Sequence, residues 1–463
     1  MSKNYLLVSI EKFGNVILKT VGMIILARVL SPNDFGLYGM VFILVGLGNV
    51  IVDSGMGGAI IKKNSPTDID YSTILVFNVI VSILLWILIS LASPMIADFY
   101  SEPELESVVK LLGLTLIIRS FAITPVTKLT KSLNFRVQIY ITSSSYLIAF
   151  IIGLILATKG YGVYALVYIS LIESLFTSIL SYIAIKSLPK FRFSMAIFKE
   201  HYRFGSRLMC SSIIKITYES SIGVIFGKFY GAYLLGLYSQ ANKVNEIFIN
   251  TSSTIIDKVT FPILSAKLNK GECCLNYMRK LLVLVVFFSA FICTQLSFSS
   301  EQIIKILLGN KWVESSEILK IISFAGIGML IEGVSRSFLK AHGLAGLILN
   351  LELQKRLISI CTILLIIPFG VHYILISYVI LTVASALINM IYLGTHTRYK
   401  FKRQIADLWF IGVAFCLLNI ALKWGSEYHA FEDIFKIAFG LIFSVIIYFP
   451  LNYLYYRKQF NLP

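Results

Sequence analysis

Charge is scarce in this chain. Only 14% of its 463 residues are Asp, Glu, Lys or Arg, against roughly 25% in an ordinary soluble domain. With 57% hydrophobic residues and a mean hydropathy of +0.81, too little polar surface is left to coat a globule of 52.0 kDa. A water-soluble protein is excluded. Motifs of chemistry are missing as well. The six cysteines include no C-x-x-C pair, and they read as buried reduced thiols. The five histidines, His201, His342, His372, His396 and His429, show no metal-ligand spacing, and no Ser/His/Asp constellation is present. Gly55-Met56-Gly57-Gly58 lacks the Gly-Lys-Ser/Thr of a phosphate loop, which argues against nucleotide binding. No cofactor or metal is called for. Connections between apolar runs stay within about 20 residues, too short for a soluble domain, and this disfavours a membrane polymerase or glycosyltransferase.

What the chain does have is a succession of spans, each near the ~20 residues that cross a bilayer. Apolar runs predict helices over Leu6–Val29, Gly36–Ile61, Ser72–Ile96, Val108–Val126, Val137–Leu156 and Val163–Ile185. A second series covers Leu208–Phe226, Leu234–Leu264, Leu281–Phe298, Ile318–Phe338, Leu347–Phe369 and Tyr373–Leu393. Leu408–Leu422 and Ile434–Tyr456 close the count at about 14. The first run is interrupted by Glu11, Lys12 and Lys19 and reads as a span rather than a cleaved leader. The expected class is therefore an all-α integral membrane protein. Its domains are an N-lobe of six helices (1–185), a basic linker (186–207), a C-lobe of six (208–393) and a C-terminal helix pair with a tail (394–463).

The excess of 41 Lys and Arg over 24 Asp and Glu reads as an orientation signal rather than a nucleic-acid footprint. Alternate connections collect the bases: Lys62 and Lys63; Lys128, Lys131 and Arg136; Lys186, Lys190 and Arg192; Arg279 and Lys280; Arg398, Lys400 and Arg403; Arg457 and Lys458. The intervening ones gather acids, among them Asp98, Glu102, Glu104, Glu427 and Glu432. Both termini are expected in the cytoplasm.

A repeat appears at a shift of 200 residues, where Ala27–Tyr38 lines up with Gly227–Tyr238 and both end in Gly-Leu-Tyr. Each copy falls between the first and second helix of its block, as in parallel repeats related by an axis along the membrane normal.

Ionisable residues inside spans are costly and need a partner or water, which makes them functional candidates. The bases Lys19, Arg119, Lys215, Lys243, Lys258, Lys355 and Arg356 are the candidates for binding cargo in a wet cavity, and Asp53, Glu219 and Asp257 those for coupling to a proton or sodium ion. Glu332 and Arg336, four apart, share a helix face, as do Lys215 and Glu219. A slight predominance of bases suits an anionic cargo.

Several segments, in order, resemble the Wzx-type oligosaccharide flippases of the polysaccharide transporter family, in the multidrug/oligosaccharidyl-lipid/polysaccharide superfamily. They are Ala27–Gly36, Asp53–Gly57, Pro94–Leu105, Phe135-Arg136 and Gly160–Val163, then Phe204-Gly205, Gly227–Phe229, Gly236–Tyr238, Gly309–Trp312 and Lys340–Gly343. The resemblance implies a MATE-like fold, two six-helix lobes around a cationic cavity plus an extra helix pair. It also implies a bacterial cytoplasmic-membrane protein that passes an undecaprenyl-pyrophosphate-linked oligosaccharide to the outer leaflet, for O-antigen, capsule or exopolysaccharide assembly. Its expected partners are that lipid-linked cargo, membrane lipid, and a polysaccharide polymerase and chain-length regulator. Arg28 matches a recurrent family position. A drug/cation antiporter is the rival on this architecture, disfavoured by the basic bias of the embedded charges.

Overall fold

The structure is a computed structural model. It describes the backbone of residues 2–269, 274–428 and 433–460, and the side chains of most of these. Among the described residues all regular structure is helical. The α-helices are α1 (Ser2–Val29), α2 (Pro32–Asp53), α3 (Met56–Lys62), α4 (Asp68–Tyr100), α5 (Leu105–Lys131), α6 (Phe135–Thr158), α7 (Val163–Ile185) and α8 (Met195–Asn269). They continue with α9 (Leu275–Phe298), α10 (Ser300–Leu308), α11 (Ser315–Ile322), α12 (Ala325–Ala341), α13 (Ala345–Ile366), α14 (Val371–His396), α15 (Phe401–Tyr428) and α16 (Asp433–Phe460). Among the described residues 11 helical segments are long and apolar enough to cross a membrane. Every predicted run falls on helix, although Gly36–Ile61 and Ile318–Phe338 are interrupted and Leu347–Phe369 ends in a 3-10 turn. Two of the expected spans differ for physical reasons: α13 carries Glu352, Lys355 and Arg356, and one apolar segment runs through a bend at Gly231.

Local chemistry sets the ends. Ser31 caps α2 through a reciprocal box with Asp34, and Pro32 supplies a preset φ at the first position. Thr67 and Asp70 repeat the device at α4. In α8, Gly231 takes φ 82° and ψ 175°, which no helix allows, so the 75-residue stretch is two helices meeting at a corner. The predicted continuous helix over Gly36–Ile61 is broken at Ser54 and Gly55, both at positive φ. The cause is a crossing chain: a Cβ on Gly55 would stand 2.3 Å from the Gly205 carbonyl oxygen, and one on Gly205 would stand 2.6 Å from that of Ser54.

The chain forms two compact units, Met1–Ser239 and Gln240–Pro463. In the first, α5 packs on α4 and α7, α7 on α6, and α6 on α1, while α2 rests on α5 and α7. The first helix of α8 belongs here, running antiparallel to α2, with Ile216 beside Gly46, Gly223 beside Ile43 and Gly227 beside Met40. At its far end two corners interlock. A Cβ on Gly36 would lie 1.7 Å from the Ala232 carbonyl oxygen, and one on Gly236 would lie 1.8 Å from that of Pro32. Positions 32 and 36 meet 232 and 236 reciprocally, so the sequence repeat is also a local spatial symmetry.

At the opposite end of the unit, the buried Asp70 carboxylate accepts from Lys63 Nζ at 2.8 Å and lies 2.8 Å from His201 Nε2, with Glu200 3.3 Å from the same lysine. The hydrogen bond to Asp70 holds the Lys63 ammonium above its ordinary range.

The second unit is centred on α9, which packs against α12, α15 and α16, with α14 on the other side of α12. Leu282, Val286, Leu330, Val334, Phe338, Leu418 and Tyr448 fill its core. Phe287 and Tyr448 stack at 4.9 Å. The C-terminal pair is fastened by charge as well as packing: Arg279 clamps Asp407 with bonds of 2.7 and 2.6 Å, and the Tyr399 hydroxyl donates to the same carboxylate at 2.8 Å. Cysteines depart from expectation. Cys274 and Cys293 are buried, whereas Cys210, Cys361 and Cys416 are exposed on the outer faces of apolar helices, where a small polarisable side chain meets no penalty.

Candidate functional site

In the first unit, helices α1, α2, α5 and α7 each bring a polar side chain into an apolar bundle. Lys19 Nζ bonds Glu173 Oε1 at 2.6 Å and stands 5.3 Å from the centre of the Tyr146 ring. Tyr38 and Ser170 share a hydrogen bond of 2.8 Å, and both Glu173 and Arg119 act electrostatically on that tyrosine hydroxyl. Lys19 is 46% exposed, and Arg119, midway along α5, is exposed as well. Lys215 is likewise exposed, about midway along the first helix of α8. Charge at that depth cannot face hydrocarbon, since a central Arg or Lys costs about 2.5–3.5 kcal/mol on insertion scales. It needs water or a carboxylate partner, as Lys19 has in Glu173.

Asp53 closes α2 and accepts from the Gly57 backbone N–H at 3.4 Å, across the break between α2 and α3. A Cβ on Gly57 would lie 3.0 Å from this carboxylate and 3.1 Å from Thr127 Oγ1, so the glycine keeps it accessible to its own backbone.

The second unit holds the densest group of embedded charges. Lys355 on α13, 8% exposed, bonds Glu332 on α12 at 2.6 Å, Glu352 one turn away at 3.1 Å, and Asn389 Oδ1 on α14 at 3.2 Å. Ser385 donates to the second Glu332 oxygen at 2.9 Å. Arg356 and Arg336 approach Glu352 at 3.5 and 3.9 Å. Three bases thus gather around two acids. The sequence places Glu332 and Arg336 on one helix face. Each reaches α13, because inter-helix partners lie inside the bundle where an unpaired charge is most costly.

Of the predicted site residues, Lys355 and Arg356 are brought together through Glu352, while Lys19 is paired with Glu173. Lys243 lies exposed on the second helix of α8, beside an Asn242–Glu246 hydrogen bond of 2.8 Å. The side chains of Glu219, Asp257 and Lys258 lie outside the described residues. Sequence reasoning passed over Asn389 and Ser385. An asparagine within the apolar run Tyr373–Leu393 was the available signal, since an amide in hydrocarbon requires a partner.

A bundle of apolar helices with charges held inside it is that of a polytopic membrane protein. The solved structure titled lipid II flippase MurJ, in an inward closed conformation, superposes with a TM-score of 0.73 over 98% of this chain and 99% of that one, at 16% identity. At that identity the likeness is one of fold. Residues 25–317 match the family model described as polysaccharide biosynthesis protein, and the chain belongs to that family. Similar curated proteins are the teichuronic acid biosynthesis protein TuaB of Bacillus subtilis (27% identical, 64% of this chain and 62% of TuaB) and the lipopolysaccharide biosynthesis protein WzxC of Escherichia coli (24%, 66% and 63%). The matched region spans less than two thirds of either relative. The resemblance drawn from the ordered sequence segments is met by this family match.

Proposed function

We propose that the protein is a flippase that carries undecaprenyl-pyrophosphate-linked oligosaccharide repeat units from the cytoplasmic to the outer leaflet by alternating access. The observation that carries this reading is the exposure of Lys19, Arg119 and Lys215 deep within apolar helices. A pyrophosphate with a sugar chain cannot enter ~30 Å of hydrocarbon unaided, and cationic side chains lining water at mid-depth remove that barrier. Family membership and the names of TuaB and WzxC, for teichuronic acid and lipopolysaccharide biosynthesis, support the cargo class.

In this reading the chain crosses the cytoplasmic membrane fourteen times with both termini inside, and two six-helix lobes, 1–185 and 208–393, alternate around the cargo. Arg119, Lys215 and Lys243 contact the phosphates, with Lys258 as a further base. Lys355 and Arg356 supply positive potential from a fixed cluster. Asp53, Glu219 and Asp257 are the positions for ion coupling, and a polymerase and chain-length regulator receive the product.

The test is export in a strain whose only copy carries Arg119→Gln, Lys215→Gln and Lys243→Gln. Complete lipid-linked units should accumulate on the inner leaflet while the amount of protein is unchanged. Normal export would remove these bases from the site, and outer-leaflet accumulation of unpolymerised units in a deletion strain would point to a polymerase instead.

A further inference from the structure

Where the first turns of α4 meet the last turns of α5 and α7, an open cleft lies against the non-helical segment that follows α7. Tyr71, Leu75, Thr124, Lys128, Tyr182 and Lys190 are among its lining residues. Two lining hydroxyls, Thr124 Oγ1 and Tyr182 OH, are buried without a hydrogen-bond partner among the described residues, and Thr124 is only 8% exposed. Buried hydroxyls are rarely left unpaired, so the cleft is short of an acceptor.

Its charge has the matching sign. Lys190 is engaged by Asp68 at 2.6 Å, and Lys128 stands 5.7 Å from the Tyr71 ring. Two ammonium groups against one carboxylate leave a positive excess, extended by the exposed Lys186 and Arg192. Interleaved with these bases are the exposed side chains of Leu188 (83%), Phe191 (64%), Phe193 (46%) and Met195 (57%). Beside water such a rim is unfavourable. At a bilayer surface the apolar groups enter the acyl region while the bases reach phosphate oxygens.

We propose that this cleft and its rim bind the phosphodiester headgroup of an anionic phospholipid, a structural lipid distinct from the transported cargo. Lys128 and Lys190 face the phosphate, the Thr124 and Tyr182 hydroxyls donate to its oxygens, and the 188–195 rim lies against the acyl chains. The apolar rim is what selects a phospholipid over a free anion of the same phosphate chemistry.

The experiment is lipid retention by the purified full-length protein from mixed micelles of phosphatidylglycerol and phosphatidylcholine, quantified by mass spectrometry after gel filtration. Phosphatidylglycerol should be retained preferentially, and Lys128→Gln should reduce that preference roughly fivefold. Thr124→Val and Tyr182→Phe, close in shape to the native side chains, should each weaken retention without altering the elution profile, which keeps the test decisive if Lys128→Gln folds poorly. Equal retention of the two lipids, retention untouched by both hydroxyl variants, or release of the lipid by excess inorganic phosphate or pyrophosphate would each overturn the proposal. Because no transport is measured, failure of the flippase reading leaves this result standing, and the reverse.

Discussion

Replacing Gly36 by alanine tests how tightly the two repeat corners are locked. The new Cβ would lie 1.7 Å from the Ala232 carbonyl oxygen, whereas a relaxed carbon-to-oxygen approach is about 3.3 Å. The corners must therefore part by roughly 1.5 Å. Backbone cannot rotate away as a side chain does, which puts the overpacking cost near the upper end of the usual range, about 3 kcal/mol. Alanine returns about 1 kcal/mol through helix propensity, leaving a net loss of about 2 kcal/mol. Gly236→Ala should behave alike, because its Cβ meets the Pro32 carbonyl oxygen at 1.8 Å. Once one methyl has opened the gap the other fits into it, so the double variant should cost clearly less than the sum of the singles. Thermal unfolding in detergent reads the three values, with Gly46→Ala as reference, since its nearest neighbour is an Ile216 methyl at 3.9 Å. Spin labels at Asn33 and Tyr233, introduced on a cysteine-free background, should report a wider separation in either single variant. Costs that simply add, or a Gly36→Ala that unfolds like Gly46→Ala, would refute the interlock.

Two further outcomes follow from the buried charges. Arg279→Met leaves Asp407, 1% exposed, without its clamp; the expected loss is about 3–5 kcal/mol, seen as faster proteolysis of α15 and α16 and largely reversed by adding Asp407→Asn. An unchanged digestion pattern would mean that packing alone holds the pair. Lys355→Met should leave Glu332 without its ammonium, while Glu352 keeps Arg356 and Arg336, and lower the yield of folded protein, with Glu332→Gln in the same chain restoring much of it. If the single variant is as stable as the parent, the cluster is hydrated enough for its charges to stand alone.

Much of this protein is legible in its sequence because a bilayer punishes errors of pattern severely. Apolar length and the placement of Lys and Arg mark each helix, as Val163–Ile185 shows, which matches α7 residue for residue. The ordered segments also identified the family. Less legible was the reason for those segments. Ser31 and Asp34 form a helix cap, Gly36 and Gly236 press on carbonyls, and Gly55 makes way for Gly205. The cap is local, but the glycine contacts are backbone approaches between residues far apart in the chain, which no local pattern encodes.

Pairing of the embedded charges was likewise hidden. The sequence determined that Glu332, Arg336, Glu352, Lys355 and Arg356 would lie within the bundle, since helix positions follow from periodicity. Which carboxylate met which ammonium was decided only when α12, α13 and α14 packed, because a charge withdrawn from water takes the partner that distance supplies, and that distance is a property of the assembled helices.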